Sequence, residues 1–270
     1  MKKIELHSVS KKQLKQIHTW LRAAIQLLYF IFIPSVYTAA FAGVKYIFTQ
    51  IGAGGRIELT SFVTVLILIC LYTILFGRFF CGFACAFGTL GDAVHALYRY
   101  IFKKIKKKPL LISDEWANWL DKLKYVVLTA IVLMCFAGVY GKAKGTSPWD
   151  VFSMLTAGRL PGATYKVGIV LLILLMIGMC TQERFFCQFL CPMGAIFAIM
   201  PIVPSALFNR DKGTCPAKCG ACKKRCPAHL DIDGDTPLSG ECICCHACQG
   251  ICPKRNIRIG IPKAKDESLF

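Results

Sequence analysis

Two groups of cysteines near the end of the chain have a spacing that few chemistries require. Cys215-x3-Cys219-x2-Cys222-x3-Cys226-Pro227 is followed by Cys242-x2-Cys245-x2-Cys248-x3-Cys252-Pro253. The second is the spacing of one half of a bacterial two-cluster ferredoxin, and the first differs by one residue inserted between its first two cysteines. A cubane iron–sulfur cluster needs four thiolates at the corners of a small tetrahedron. Three cysteines on one tight loop and a fourth from farther away supply them without strain. In the two-cluster arrangement the fourth cysteine crosses to the other cluster. Cys215, Cys219, Cys222 and Cys252 are therefore expected to hold one [4Fe–4S] cluster, and Cys242, Cys245, Cys248 and Cys226 a second. Pro227 and Pro253 would end each turn, having a fixed φ and no N–H to donate. Zinc sites gain nothing from two C-x3-C-P endings, and disulfide frameworks belong to short secreted chains.

A second cysteine pattern repeats upstream. The segment Arg78-Phe79-Phe80-Cys81-Gly82-Phe83-Ala84-Cys85 aligns without a gap on Arg184-Phe185-Phe186-Cys187-Gln188-Phe189-Leu190-Cys191, and Gly88 falls on Gly194. C-x3-C on a helix would place each pair of sulfurs on one side, a turn apart. Cys81, Cys85, Cys187 and Cys191 are thus expected to converge at one membrane face. There they could ligate a third iron–sulfur cluster, act as redox-active dithiols, or simply pack between helices. Packing is the reading for the lone Cys70, Cys135 and Cys180. Arg78 and Arg184 would favour a thiolate or a reduced cluster, or anchor to lipid headgroups.

These residues need a scaffold, and composition says which. The chain has 270 residues, of which 55% are hydrophobic, and its mean hydropathy is above zero. That is too apolar for an ordinary soluble protein. Uncharged runs over Ala23–Val44 and Leu59–Gly77 are long enough to cross a bilayer. Tyr125–Gly141 and Val167–Gln182 are shorter, with Lys124, Lys142 and Lys166 expected to reach outward at their ends. The predicted fold is an α-helical integral membrane protein of four transmembrane helices, arranged as two repeated hairpins, with a C-terminal α+β two-cluster ferredoxin-like domain. The expected division is a basic interfacial segment at 1–22, a membrane domain at 23–208, the ferredoxin-like domain at 209–262 and a tail at 263–270. A cleaved signal peptide ending near Ala42 is the alternative for the N-terminus.

Charge distribution orients this arrangement. Of 33 Lys and Arg, 27 fall before the first span, between the second and third, or after the fourth. The positive-inside rule then puts both termini and the ferredoxin section in the cytoplasm of a prokaryotic inner membrane. The run Lys103, Lys104, Lys106, Lys107 and Lys108 would meet anionic headgroups. The net charge of +18 does not imply nucleic acid, because no aromatic-basic fold accompanies it. Phe185–Leu207 could form a fifth span, but Pro192, Pro201 and Pro204 favour a bent interfacial segment. The loop from Lys142 to Lys166, with Pro148, Trp149, Phe152 and Pro161, reads as an outer interfacial cap. Asp92 and His95 read as an exposed polar helix face, with a proton relay as the alternative. Asp231, Asp233 and Asp235 read as a solvated turn, because the remaining features of a calcium loop are absent. Cys244 reads as a spare thiol, and His246 as a group that could tune the adjacent cluster.

With four spans, twin Arg-Phe-Phe-C-x3-C elements and a terminal double ferredoxin section, the chain resembles the NapH-type membrane components of quinol dehydrogenases. These share their core with NosR-type and CcoG-type proteins. Cys187-x3-Cys191-Pro192 fits the family's C-x3-C-P motif, whereas Ala86 replaces proline after Cys85. The chain has no room for the flavin-bearing region of NosR-type proteins or the soluble C-terminal domain of CcoG-type proteins. The resemblance implies oxidation of quinol or menaquinol and transfer of electrons, with a redox partner protein, towards a respiratory reductase. The residues themselves indicate one-electron carriers at a membrane. An electron conduit between a cytoplasmic ferredoxin or flavodoxin and an extracytoplasmic flavoprotein is one alternative. A metal reductase or redox sensor working through the C-x3-C dithiols is another.

Overall fold

Proline decides where the first apolar stretch breaks. The computed structural model of the protein describes residues 11–143, 145–203, 208–210, 215, 219–230, 240–252 and 257–259. Helix α1 (Lys11–Phe32) ends just before Pro34, and α2 (Val36–Gly52) starts after it, at an angle of 62°. Pro34 has no N–H to donate and drives Ile33 out of the helical region. The first expected span is therefore a broken pair.

Helix α3 (Ser61–Phe76) starts at Thr60, whose hydroxyl accepts from the Val63 N–H, and stops at Gly77 with φ +67°. A five-residue π turn (Phe80–Ala84) leads into α4 (Ala86–Lys104). Then follow α5 (Asp114–Leu120), α6 (Leu123–Phe136), α7 (Pro148–Thr156) and α8 (Lys166–Thr181). Two short helices, α9 (Phe185–Phe189) and α10 (Pro192–Ile199), succeed them, so no fifth span forms over Phe185–Leu207 among the described residues. Helix α2 packs on α3 and α6, α8 on α4 and α7, and α10 on α6.

The four expected spans are met in part. Among the described residues one helix, Ala163–Thr181, is long and apolar enough to cross a membrane, or two if the bent α1–α2 pair is a single span. Helix α3 is apolar, but at 1.5 Å per residue its 16 residues reach only about 24 Å. The outward faces are apolar: Leu28 and Phe32 on α1, Leu68 and Leu75 on α3, Val126 and Leu133 on α6, and Ile173 and Ile177 on α8 are exposed.

Among the described residues the regular structure is otherwise helical apart from one antiparallel strand pair. β1 (Phe208–Arg210) lies against β2 (Ile257–Ile259), with Phe208 opposite Ile259. The ferredoxin section contributes α11 (Ala221–Arg225) and α12 (Ala247–Ile251), which pack together. An α+β ferredoxin domain over 209–262 is not shown as such. Met1–Ser10, Pro204, Asp231, Asp233, Asp235, Pro253 and the tail at 263–270 lie outside the described residues.

Two expectations about the loops are corrected. Trp149 and Phe152 on α7 are buried, not an outer cap. Trp149 packs edge-on against Phe41, and Phe152 against Phe87, the arrangement that aromatic quadrupoles favour. Lys124 does not reach outward but is fully buried, held by Asp121 at 2.7 Å and Glu241 at 2.5 Å. A buried ammonium is tolerated only with such partners.

Candidate functional site

Each repeated element is closed by the same backbone bond. The Cys85 N–H donates to the Phe80 carbonyl at 2.9 Å, and the Cys191 N–H donates to the Phe186 carbonyl at 2.9 Å. The C-x3-C pairs do not lie on continuous helices as expected. The first cysteine sits on a five-residue turn, and the second is extended and caps the helix that follows. Cys85 has φ −69° and ψ 118°, and Cys191 has φ −75° and ψ 113°. Pro192 at the start of α10 imposes this on Cys191, since a residue before proline avoids the helical region. Ala86 permits the same conformation at Cys85, so its departure from C-x3-C-P leaves the backbone unchanged. The Cys191 thiol also accepts from the Gly194 N–H at 3.2 Å, capping α10. The ferredoxin signatures are built alike. Cys226 (φ −73°, ψ 116°) and Cys252 (φ −70°, ψ 114°) follow α11 and α12, which carry Cys222 and Cys248.

Cys81, Cys85, Cys187 and Cys191 are all buried and converge. The Cys85 thiol donates to Cys187, which raises the pKa of Cys85 and lowers that of Cys187, the latter aided by Arg184. Cys81 and Cys191 lie within electrostatic reach of Cys187, and burial raises both, Cys191 to about 12. The Cys191 thiol faces the Tyr37 hydroxyl at 3.6 Å. Among the described residues no group of three or more His, Cys, Asp or Glu could hold a metal ion as placed, so the four thiols are not a ready-made mononuclear site.

The two arginines are the largest fully buried side chains. They do not anchor to headgroups. Arg184, with φ +65°, reaches across to the first repeat. It grips Asp92 with two hydrogen bonds, at 2.7 and 2.6 Å, and donates to the Cys81 carbonyl and, at 2.8 Å, the Gly82 carbonyl. Asp92 also accepts from Arg22 at 2.8 Å and Gln26 at 2.7 Å. It is therefore half-buried and fully paired instead of forming an exposed polar face, and His95 is buried, against the Cys180 carbonyl at 3.1 Å. Burial alone would raise the Asp92 pKa, but Arg184 and Arg22 outweigh it and hold it below the usual value.

Arg78 points the other way, towards the ferredoxin section. Its Nη1 donates to the Gly240 and Glu241 carbonyls, each at 3.3 Å, and to the Glu241 carboxylate at 3.1 Å. Its Nε and Nη2 have no oxygen acceptor among the described residues, while the Cys81 thiol lies against the guanidinium and Cys191 is close by. Four buried thiols facing two guanidinium groups, one of them bonded to the Cys81 thiol, are a donor set that fits an anionic iron–sulfur group.

The ferredoxin section is seated directly on this site. Gly82 passes so close to the Ile243 carbonyl that a side chain there would collide with it. Phe79 and Phe83 stack at 4.2 Å and present their rings to His246, with Phe79 also packed against Cys222, Cys244 and Cys248. Gln182 donates to the Pro227 carbonyl at 3.1 Å and meets His229 at 2.6 Å. Cys226 lies within electrostatic reach of Cys242, Cys245 and Cys248, the set expected for the second cluster. Cys222 shares a buried group with Cys244 and Cys248, against which Cys226, Cys242 and Cys252 pack half-buried; Cys215 and Cys219 are half-buried as well. Cys244 is buried beside Cys242.

Sequence reasoning missed Glu241 and the pairing of Asp92. A carboxylate directly before the first cysteine of a signature, and an acid within an otherwise apolar repeat, were the available signals.

The 4Fe-4S binding domain family matches residues 59–109 and 166–210, which contain the two Arg-Phe-Phe-C-x3-C elements. The uncharacterized protein MJ0750 of Methanocaldococcus jannaschii is 28% identical, over 84% of this chain and 88% of that protein. The uncharacterized protein MJ0749 of the same organism is 31% identical, over 74% of this chain and 71% of that protein. The methylamine utilization ferredoxin-type protein MauN of Paracoccus denitrificans is 30% identical, over 70% of this chain and 65% of that protein. No solved structure matches. This iron–sulfur chain, with its repeated 4Fe-4S binding domain and its distant homology to NirI, NosR and the ferredoxin-type protein MauN, belongs to the family of MJ0749.

Proposed function

We propose that this protein is a membrane-bound iron–sulfur electron-transfer protein, a quinol dehydrogenase component that passes electrons from the quinol pool towards a respiratory reductase. The observation that carries the reading is the seating of Glu241–Cys245 on the paired Arg-Phe-Phe-C-x3-C elements, which brings two cysteine groups to either side of Arg78. Cys215, Cys219, Cys222 and Cys252 hold one [4Fe–4S] cluster, and Cys242, Cys245, Cys248 and Cys226 hold the other. Cys81, Cys85, Cys187 and Cys191 hold a third redox group. Bound clusters supply one-electron chemistry, so two of them match the two electrons that leave a quinol with its two protons. The residues described here bury these groups, exclude water and surround them with positive charge. Residues 23–208 form a four-span domain in the cytoplasmic membrane, with the ferredoxin section in the cytoplasm. Exposed apolar helix faces and one-sided basic charge support that placement.

EPR of anaerobically purified protein, before and after a reduced menaquinone analogue, tests the reading. Reduced [4Fe–4S] signals at a turnover rate are expected. Signals with dithionite but never with quinol would remove quinol as the donor. A conduit to an extracytoplasmic partner would then stand first. The aromatic packing that links α7 to the cysteine pocket through Trp149 and Phe186, 6.1 Å apart, favours it as the second reading.

A further inference from the structure

The two halves of the site are related by the sequence repeat, yet one half lacks a part. Arg184 and Arg78 are equivalent, as are Gly88 and Gly194. The residue equivalent to Asp92, which neutralises Arg184, is Ala198. The second repeat therefore offers Arg78 no carboxylate at that position. Gly240 packs so closely on the Ala198 carbonyl that no side chain would fit, and the next residue, Glu241, extends its carboxylate to Arg78 at 3.1 Å. The same carboxylate accepts from Lys124 at 2.5 Å and from the Tyr125 hydroxyl at 2.5 Å. Three donors, two from α6 and one from a repeat element, thus meet a single acid of the ferredoxin section, one residue before Cys242.

We propose that Glu241 is a positioning residue that completes the second half-site. It supplies from the ferredoxin section the carboxylate that the repeat lacks, holds Cys242 and Cys245 in register over the four-thiol pocket, and compensates the Arg78 charge between the two cysteine groups. The inference rests on the reading of those groups as redox centres. It explains why Arg78 and Arg184 differ: both reach across the repeats, but Arg184 finds its carboxylate within them and Arg78 takes its carboxylate from the ferredoxin section. Arg78, Lys124, Asp121 and Glu241 form a charge-balanced set. Removing the Glu241 charge leaves one excess positive charge next to Cys242, which favours the reduced state of the centre there.

The test is an EPR-monitored redox titration of the full chain in detergent, with iron content measured on every sample. Glu241→Gln is expected to raise the potential of the centre at Cys242 by about 59 mV, a tenfold change in its one-electron reduction equilibrium. Lys124→Gln combined with Glu241→Gln restores the local charge sum and should bring the potential back, and Glu241→Asp should stay near wild type. A Glu241→Gln titration that superimposes on wild type at full iron content overturns the inference. If Glu241→Gln loses iron, the double variant decides: recovered iron supports the inference, and loss in both overturns it. Failure of the underlying reading is seen separately. Cys81→Ser with Cys187→Ser would then leave iron content unchanged, whatever Glu241 does.

Discussion

The Arg184 guanidinium lies over Gly88, and the Arg78 guanidinium lies over Gly194, so each repeat's arginine is received by the other repeat's glycine. The exchange ties the two elements more tightly than side-by-side packing would, because each cation is buried in the half to which it does not belong. It also fixes the approach of the four thiols, since Arg184 is bonded to the Cys81 carbonyl and the Cys187 carbonyl lies beside Gly194.

Gly88→Ala should therefore disrupt the pair. A methyl group there runs into Arg184, and overpacking of this kind costs about 1–3 kcal/mol. Thermal unfolding in detergent should show a lower midpoint for Gly88→Ala. Gly141→Ala, where the surrounding space is open, should remain within about 0.5 kcal/mol of wild type.

Asp92→Asn should be severe and should alter the acid limb of stability. Asp92 is held below its ordinary pKa, so its contribution is fully present above about pH 3.9 and is lost as pH falls through the lower folded value. Removing the anion that a buried Arg184 depends on costs about 3–5 kcal/mol. Melting curves at pH 7 and pH 3 should show a wide gap between wild type and variant at pH 7 and a narrower one at pH 3. An equal gap at both would count against the ionised pair.

The crossing of ligands predicts different outcomes for neighbouring cysteines. Cys226→Ser should abolish one [4Fe–4S] signal in EPR, because Cys226 approaches Cys242, Cys245 and Cys248. Cys244→Ser should retain both signals. Loss of a cluster in Cys244→Ser would exchange the roles of Cys244 and its neighbours.

Orientation is open to a direct test. A topology reporter inserted after Lys108 should score as cytoplasmic, and one inserted after Gly158 as extracytoplasmic. The same side for both would remove the two-hairpin arrangement.

Cysteine spacing, the repeat and the hydropathy pattern are properties of local sequence, and they sufficed to point to iron–sulfur chemistry, the paired elements and a largely helical chain with apolar stretches. The spacing also singled out Cys226 as a crossing cysteine, and the fold brings it within electrostatic reach of Cys242, Cys245 and Cys248. Which polar side chains turn inward was not legible, because burial depends on partners distant in sequence. Asp92 turns inward only because Arg184, Arg22 and Gln26 converge on it. Lys124 is buried only because Glu241 arrives from the ferredoxin section. Periodicity likewise could not show that α7 turns into the core, since an aromatic segment suits an interface and a core equally well until its neighbours are in place. The sequence by itself determined the redox chemistry available to the chain. Tertiary structure alone decided that the two cysteine groups meet across one arginine, because a buried cation can stand only where folding brings an anion to it.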